Sequence, residues 1–182
     1  MPPRAPIVAE SKLEFEEQSV QRKAPDVFTA ILLGGVIAAT IDIGAACLIS
    51  GRSPGFILQV IAGGLLAKAT FGGGWATMLL GAVLQEAMGL LIAAIYVLLA
   101  KSIPLLLRRW IIGGLAYGVV IFFVMNYAVV PLSAWKSAPH FTPVKFAANM
   151  AAMLLFGLIV AFFCRRITVS AKLPQDEAAT PA

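Results

Sequence analysis

Charge is scarce in this chain, and so are the residues that build metal cages and disulfides. Of 182 residues only 13% are charged, two are cysteine and one is histidine. Soluble domains carry about a quarter charged residues, so an ordinary water-soluble fold is excluded. Two cysteines and one histidine exclude a Cys/His metal cage made by one chain, and nothing resembles a disulfide framework. No cofactor motif is found, so no cofactor is expected. Residues 1–26, "MPPRAPIVAESKLEFEEQSVQRKAPD", lack the apolar core of a signal peptide. They mix both charges with four prolines and read as a cytosolic polar tail, mostly disordered or a short surface helix. Residues 167–182 read as a second tail of the same kind.

What the chain does have is apolar surface: 60% of its residues are hydrophobic, and its mean hydropathy is +0.90. The net charge of +5 is carried at the ends of apolar runs, with no aromatic-interleaved basic patch. Those Lys and Arg read as topology signals and contacts for lipid headgroups. The expected partner is the lipid bilayer, and no nucleic acid.

A helix needs about 20 apolar residues to cross a hydrocarbon core about 30 Å thick. Four segments of the membrane domain, residues 27–166, meet that: about 27–49, 75–100, 110–131 and 143–164. A fifth, Phe56 to Ala67, lies between "GRSPG" and "KATFGGG" and is too short to span. Charge bias supports four spans. With both termini in the cytosol, ten Lys and Arg fall on the cytosolic side and four on the other, whereas a fifth span would give seven against seven. The expected fold is therefore an all-α integral membrane bundle of four transmembrane helices plus one short re-entrant or interfacial helix at about 54–68. Ser53 reads as the N-cap of that helix, Pro54 as its first residue and "FGGG" as a flexible return. Trp75, Trp110 and Trp135 fall at span ends, where indoles anchor at headgroup level.

Helices in lipid associate through close backbone approach at small residues. Gly35 with Ala39, Gly114 with Gly118, and Ala148 with Ala152 stand four apart and read as contact faces. "LLGGVIAAT" in the first span and "IIGGLAYGV" in the third hint that the two hairpins are related by duplication.

An aspartate interrupts the first span in "AATIDIGAAC". Asp42 has Gly35, Ala38, Ala39, Ala45 and Ala46 at helical offsets, so it is expected to face the bundle. Glu86 has Ala82, Gly89 and Ala93 at equivalent offsets in the second span. Asp42 lies roughly 10 Å below the outer end of its span and Glu86 roughly 16 Å, with Asn126 and Asn149 at roughly 8 and 9 Å in spans three and four. Gln85 precedes Glu86, the short segment carries Gln59 and Lys68, and the third loop carries His140. These eight residues form the candidate polar site, in the outer half of the bundle. A carboxylate at mid-membrane costs about 2.5–3.5 kcal/mol on insertion scales. It needs Lys68, an amide from Gln85, Asn126 or Asn149, a bound cation, or a proton to offset it.

Enzyme motifs fail on inspection. "GRSPG" matches the G-x-S-x-G pattern of serine hydrolases, but the residue after Ser53 is Pro54, which has no N–H for an oxyanion. "FGGGW" has no Lys-Ser/Thr pair after its glycines, so it is a turn and not a phosphate loop. Cys47 would suit a lipoprotein signal, but Gly44 stands where a branched apolar residue belongs. His140, in "WKSAPHFTP", reads as a loop residue before a ligand. Cys47 and Cys164 sit at opposite ends of their spans and do not pair.

Together, "LLGGVIAATIDIGAA", "GRSP", "FGGGWATMLLG" and "MNYAVVPLSA" resemble a family of uncharacterised small bacterial inner-membrane proteins of four predicted spans. The likeness runs from about Ile31 to Arg166 and implies a bacterial inner-membrane location and no activity. The expected function is that of a non-enzymatic accessory or assembly component, within a homo-oligomer or a larger membrane complex. The alternative is a small proton- or cation-linked permeation protein using Asp42 and Glu86. For topology, reporter fusions after Lys101 and after Lys136 are expected on opposite sides, with Lys101 on the side of the N-terminus; the same side for both overturns four spans.

Overall fold

A computed structural model describes residues 7–136 and 141–170, with side chains from 27 to 136 and from 141 to 167. Among the described residues every regular element is helical: α1 (Ile7–Ser50), α2 (Pro54–Leu66), a 3-10 turn (Ala67–Gly72), α3 (Gly74–Ser102), α4 (Pro104–Arg108), α5 (Trp110–Val124), a π turn (Met125–Val129), α6 (Val130–Leu132) and α7 (Pro143–Ser170). Five segments are long and apolar enough to cross a membrane: Val27–Ser50, Pro54–Gly72, Gly74–Ser102, Trp110–Leu132 and Pro143–Ile167.

Three boundaries differ from the sequence reading. The backbone of α1 is helical from Ile7, well ahead of Val27. Glu, Lys and Gln in that stretch are good helix formers, and the helix runs on through Pro25, whose missing N–H interrupts the hydrogen-bond ladder there. Residues 1–6 and 171–182 of the expected tails lie outside the described residues. Second, the short segment has more helical residues than a dozen, but they do not form one straight rod. Ser53 caps α2, its hydroxyl accepting from Phe56 N at 3.4 Å. Ala67 then takes a φ of +50° and ends the helix. Beyond it Thr70 Oγ1 donates to the Gln59 carbonyl at 2.8 Å; along a straight α-helix, eleven residues would separate the two by about 16 Å. The chain therefore folds back along α2.

Third, the final turns of the Trp110–Leu132 segment widen. Pro131 lacks an N–H, and its ring would crowd the carbonyl four residues earlier in a regular helix. The π turn before it accommodates this, with Val130 N–H bonded to Met125 O, five residues back. Such π turns recur at functional sites.

Packing runs α3 to α1, α1 to α7, and α7 to α5, with α2 lying against α3. Three of these contacts are close backbone approaches: a Cβ on Gly81 of α3 would fall on the Leu58 carbonyl of α2, and the other two are crossings within the hairpins. A Cβ on Gly35 would stand 3.0 Å from Leu90 Cα and 3.1 Å from Gly89 O, and one on Gly89 would stand 2.7 Å from Ala39 Cβ. In the second hairpin a Cβ on Gly114 would stand 2.9 Å from Gly157 O and 3.2 Å from Leu158 Cα, and one on Gly118 2.9 Å from Leu154 Cα. Gly35, Ala39, Gly89 and Leu90 of the first hairpin thus have Gly114, Gly118, Gly157 and Leu158 as counterparts. The two halves make the same crossing, as expected of a duplicated hairpin. On α7 the crossing falls at Gly157 and not at Ala148 and Ala152, which are only half-buried.

Between the halves, α3 and α5 meet through Tyr96 and Tyr117, whose rings touch edge to face at 5.0 Å. Tyr117 Oη donates to Ile92 O at 2.6 Å. The main buried cluster, Ile92, Ala93, Tyr96, Val97, Tyr117, Phe156, Val160 and Cys164 among others, fills the end of the bundle away from α2. Gly89→Leu and Gly157→Leu should each destabilise the protein by about 1–3 kcal/mol or more, because the facing element is backbone and cannot yield. Gly44→Ala, whose added Cβ meets nothing within 4 Å, should leave stability unchanged or slightly raised. Thermal unfolding in detergent measures both.

Candidate functional site

The crossing of α1 and α3 decides where Asp42 goes. One to two turns beyond Gly35 and Ala39, its carboxylate meets Gln85 of α3, whose Nε2 donates to Asp42 Oδ2 at 3.0 Å and contacts Ala39 O at 3.4 Å. A single amide therefore ties the side chain and the backbone of α1 to α3. Asp42 and Gln85 line a cavity of about 30 Å³ between the two hairpins, with Met88, Gly89 and Ile92 of α3, Met125 of the π turn, and Met153 and Phe156 of α7. A water molecule needs about 10–15 Å³ of such space, so one or two small species fit and a larger substrate does not.

Glu86 stands one residue further along α3, rotated by about 100° from Gln85, the angle fixed by 3.6 residues per turn. It does not line the cavity. Its Oε2 is buried without a hydrogen-bond partner among the described residues. Both carboxylates are expected to face the bundle from small-residue faces; only Asp42 lines the cavity, and the group opposite it is the Gln85 amide.

The other expected members disperse. Asn126 lies in the π turn and donates through Nδ2 to Phe122 O of its own helix at 2.8 Å. Asn149 is half-buried on α7 and neither lines the cavity nor hydrogen-bonds to a described residue. Lys68 is exposed in the 3-10 turn and reaches neither carboxylate. His140 lies outside the described residues. No group of three or more His, Cys, Asp or Glu able to hold a metal ion occurs among the described residues.

Gln59 belongs to a different cluster, at the α2 end. Its Nε2 faces Gly74 O at 3.3 Å and Thr77 Oγ1 at 3.4 Å, while Thr77 Oγ1 donates to Thr70 O at 2.8 Å. With the Thr70 hydroxyl on Gln59 O, three buried side chains join α2, the 3-10 turn and α3. Trp135 completes this clasp. Its indole packs on Gly63, and its Nε1 donates to Val60 O at 3.0 Å, while Ala134 N donates to Gly64 O at 2.8 Å. The anchoring role expected for Trp135 is thus replaced by a protein contact. Trp75 is 77% exposed at the start of α3, as an anchor requires, and Trp110 packs against Phe162 and beneath Arg165.

Sequence reasoning missed Thr70, Thr77 and the three cavity methionines. Threonine and methionine are ordinary in apolar helices, and only the folding back of α2 and the second hairpin bring them together. Compared with protein-family models, with curated proteins and with solved structures, the chain matches none.

A double-mutant cycle tests the α1–α3 tie. Gln85→Leu should cost about 0.6–2 kcal/mol of unfolding free energy, the range of interhelical hydrogen bonds in membranes. Asp42→Asn and Gln85→Leu should be non-additive, whereas Glu86→Gln and Gln85→Leu should add.

Proposed function

We infer that the protein is a non-enzymatic, multi-pass membrane component of accessory or assembly type. Four helices span, both termini lie in the cytosol, and the α2 hairpin is re-entrant at the opposite face of a bacterial inner membrane. Supporting the re-entrant assignment, the 13 residues of α2 cover about 20 Å before Ala67 turns the chain back, short of the about 30 Å of a hydrocarbon core. The charge bias of ten against four is recovered only with that assignment.

The observation that carries the accessory reading is the Asp42–Gln85 hydrogen bond. The Asp42 carboxylate is used to tie α1 to α3 beside a cavity with room for one or two waters, and the Gln59–Thr70–Thr77 clasp fastens α2 to α3 at the neighbouring end. Interhelical hydrogen bonds of this kind fix register where apolar packing alone leaves it loose. A second reading, proton- or cation-linked permeation through Asp42 and Glu86, is favoured by the position of the cavity between two similar hairpins. Transporter sites occupy that place in repeat-built folds.

Asp42→Asn and Glu86→Gln, made separately, distinguish the two. On the accessory reading each variant inserts, the first with lowered stability or weakened retention of a co-purifying partner, and neither alters ion flux in liposomes. Variants that stay as stable as the parent but lose a pH- or cation-dependent flux overturn it. Cysteines placed at residues 52 and 73 should be labelled from the same side, since the re-entrant hairpin returns to the face it left.

A further inference from the structure

The donor set of the central cavity is not that of a plain helix clasp. Three of its eight lining residues are methionines, and they come from three separate elements: Met88 from α3, Met125 from the π turn and Met153 from α7. The methionines at 78 and 150 lie elsewhere, with Met78 packed against Gly55. The convergence is therefore a property of the cavity and not of one methionine-rich helix face. Met153 is the counterpart of Gln85 in the duplicated crossing, and Phe156 that of Met88, so the cavity sits where the two halves face each other. Met125 reaches it from the one stretch of the Trp110–Leu132 segment with π geometry.

Charge selects the kind of ligand. Asp42 brings a carboxylate into an apolar bundle, where an uncompensated charge is costly. Gln85 gives it a neutral hydrogen bond through Oδ2, and no described Lys or Arg forms an ion pair with it. A hard cation such as Ca2+ or Mg2+ takes six or more oxygens, or keeps its waters. A cavity of about 30 Å³ with a single carboxylate and a single side-chain amide offers neither the ligands nor the space. Thioethers are soft donors and favour Cu(I) among biological metals. Three neutral thioethers and one carboxylate make a site whose net charge is zero when it holds a monovalent ion.

We propose that this cavity binds a soft monovalent metal ion of the Cu(I) class, held by the thioethers of Met88, Met125 and Met153, with the Asp42 carboxylate balancing its charge. The proposal goes beyond the accessory reading and is independent of it, because a bound ion is compatible either with a metal-handling accessory or with permeation. The Gln85 amide orients the carboxylate, and the glycine crossing at Gly35 and Gly89 holds α1 and α3 close enough for the ligands to converge.

The test is titration of the full chain in mild detergent, in a Cys47→Ser, Cys164→Ala background that removes the two competing thiols, with Ag(I), and anaerobically with Cu(I) against a chromogenic Cu(I) chelator. One equivalent is expected to bind. Met125→Leu and Met153→Leu conserve volume, so folding is retained, and each should weaken binding at least tenfold. Met78→Leu and Met150→Leu should leave it unchanged. Asp42→Asn should weaken it as well; if that variant fails to fold, the methionine variants still decide. X-ray absorption of the copper-loaded protein should show sulfur in the metal's shell. Absence of stoichiometric Ag(I) or Cu(I) binding overturns the proposal, as does binding that survives the triple variant Met88→Leu, Met125→Leu, Met153→Leu. Equal losses in the two control variants, or a shell of nitrogen and oxygen alone, do the same.

Discussion

Backbone-to-backbone approach at glycine is the constraint on which the rest of this bundle depends. Lipid tails are as apolar as leucine side chains, so burying leucine against leucine gains little in a membrane, and helices adhere where they come close enough for dispersion and Cα–H contacts. Here that happens at Gly81 against the Leu58 backbone of α2 and, within the hairpins, at Gly35–Ala39 against Gly89 and at Gly114–Gly118 against Gly157. Each crossing sets the separation and rotation of one hairpin. α7 joins the hairpins by packing on both α5 and α1, and the tyrosine pair closes the opposite seam between α3 and α5.

The polar groups follow from that geometry. Because Gly35 and Gly89 lie in contact, the next turns of α1 and α3 must also be neighbours, and those turns carry Asp42 and Gln85. The cavity lies where Met125 and Met153 of the second hairpin face Asp42, Gln85 and Met88 of the first. At the α2 end the problem is different. The end of α2 at Ala67 leaves carbonyls and a return segment to be satisfied, and an unsatisfied backbone group in lipid costs several kcal/mol. Thr70, Ala134 and Trp135 add bonds to the carbonyls of Gln59, Gly64 and Val60, and Thr77 bonds to that of Thr70. The clasp is thus the condition for keeping an irregular segment against the bundle.

Much of the fold was legible before any coordinates. The four long apolar runs, the Ser53 cap with Pro54 behind it, and two of the three small-residue faces are local features, decided by composition and helical offset. The candidate site was legible only in part. Asp42 was singled out because a charge in an apolar run is conspicuous, and Gln85 was among its possible partners. Glu86 was assigned the same orientation from offsets of three, four and seven, and those offsets define a sector too wide to separate adjacent residues. Gln59 belongs to a cluster of threonines for which no spacing rule exists, since its members are joined through a chain reversal at Ala67.

The sequence by itself determined that the chain is helical, with helices apolar enough to cross a membrane, and hinted at two similar hairpins, because hydropathy, small-residue spacing and charge placement act within a turn or two of helix. Tertiary structure alone decided that the Gln85 amide, and not the Glu86 carboxylate, meets Asp42, and that three methionines far apart in the chain share its cavity. The physical reason is the same in both cases. Helix rotation at the glycine crossings is fixed by contacts between helices, and a rotation smaller than the 100° between neighbouring residues changes which side chain faces the centre.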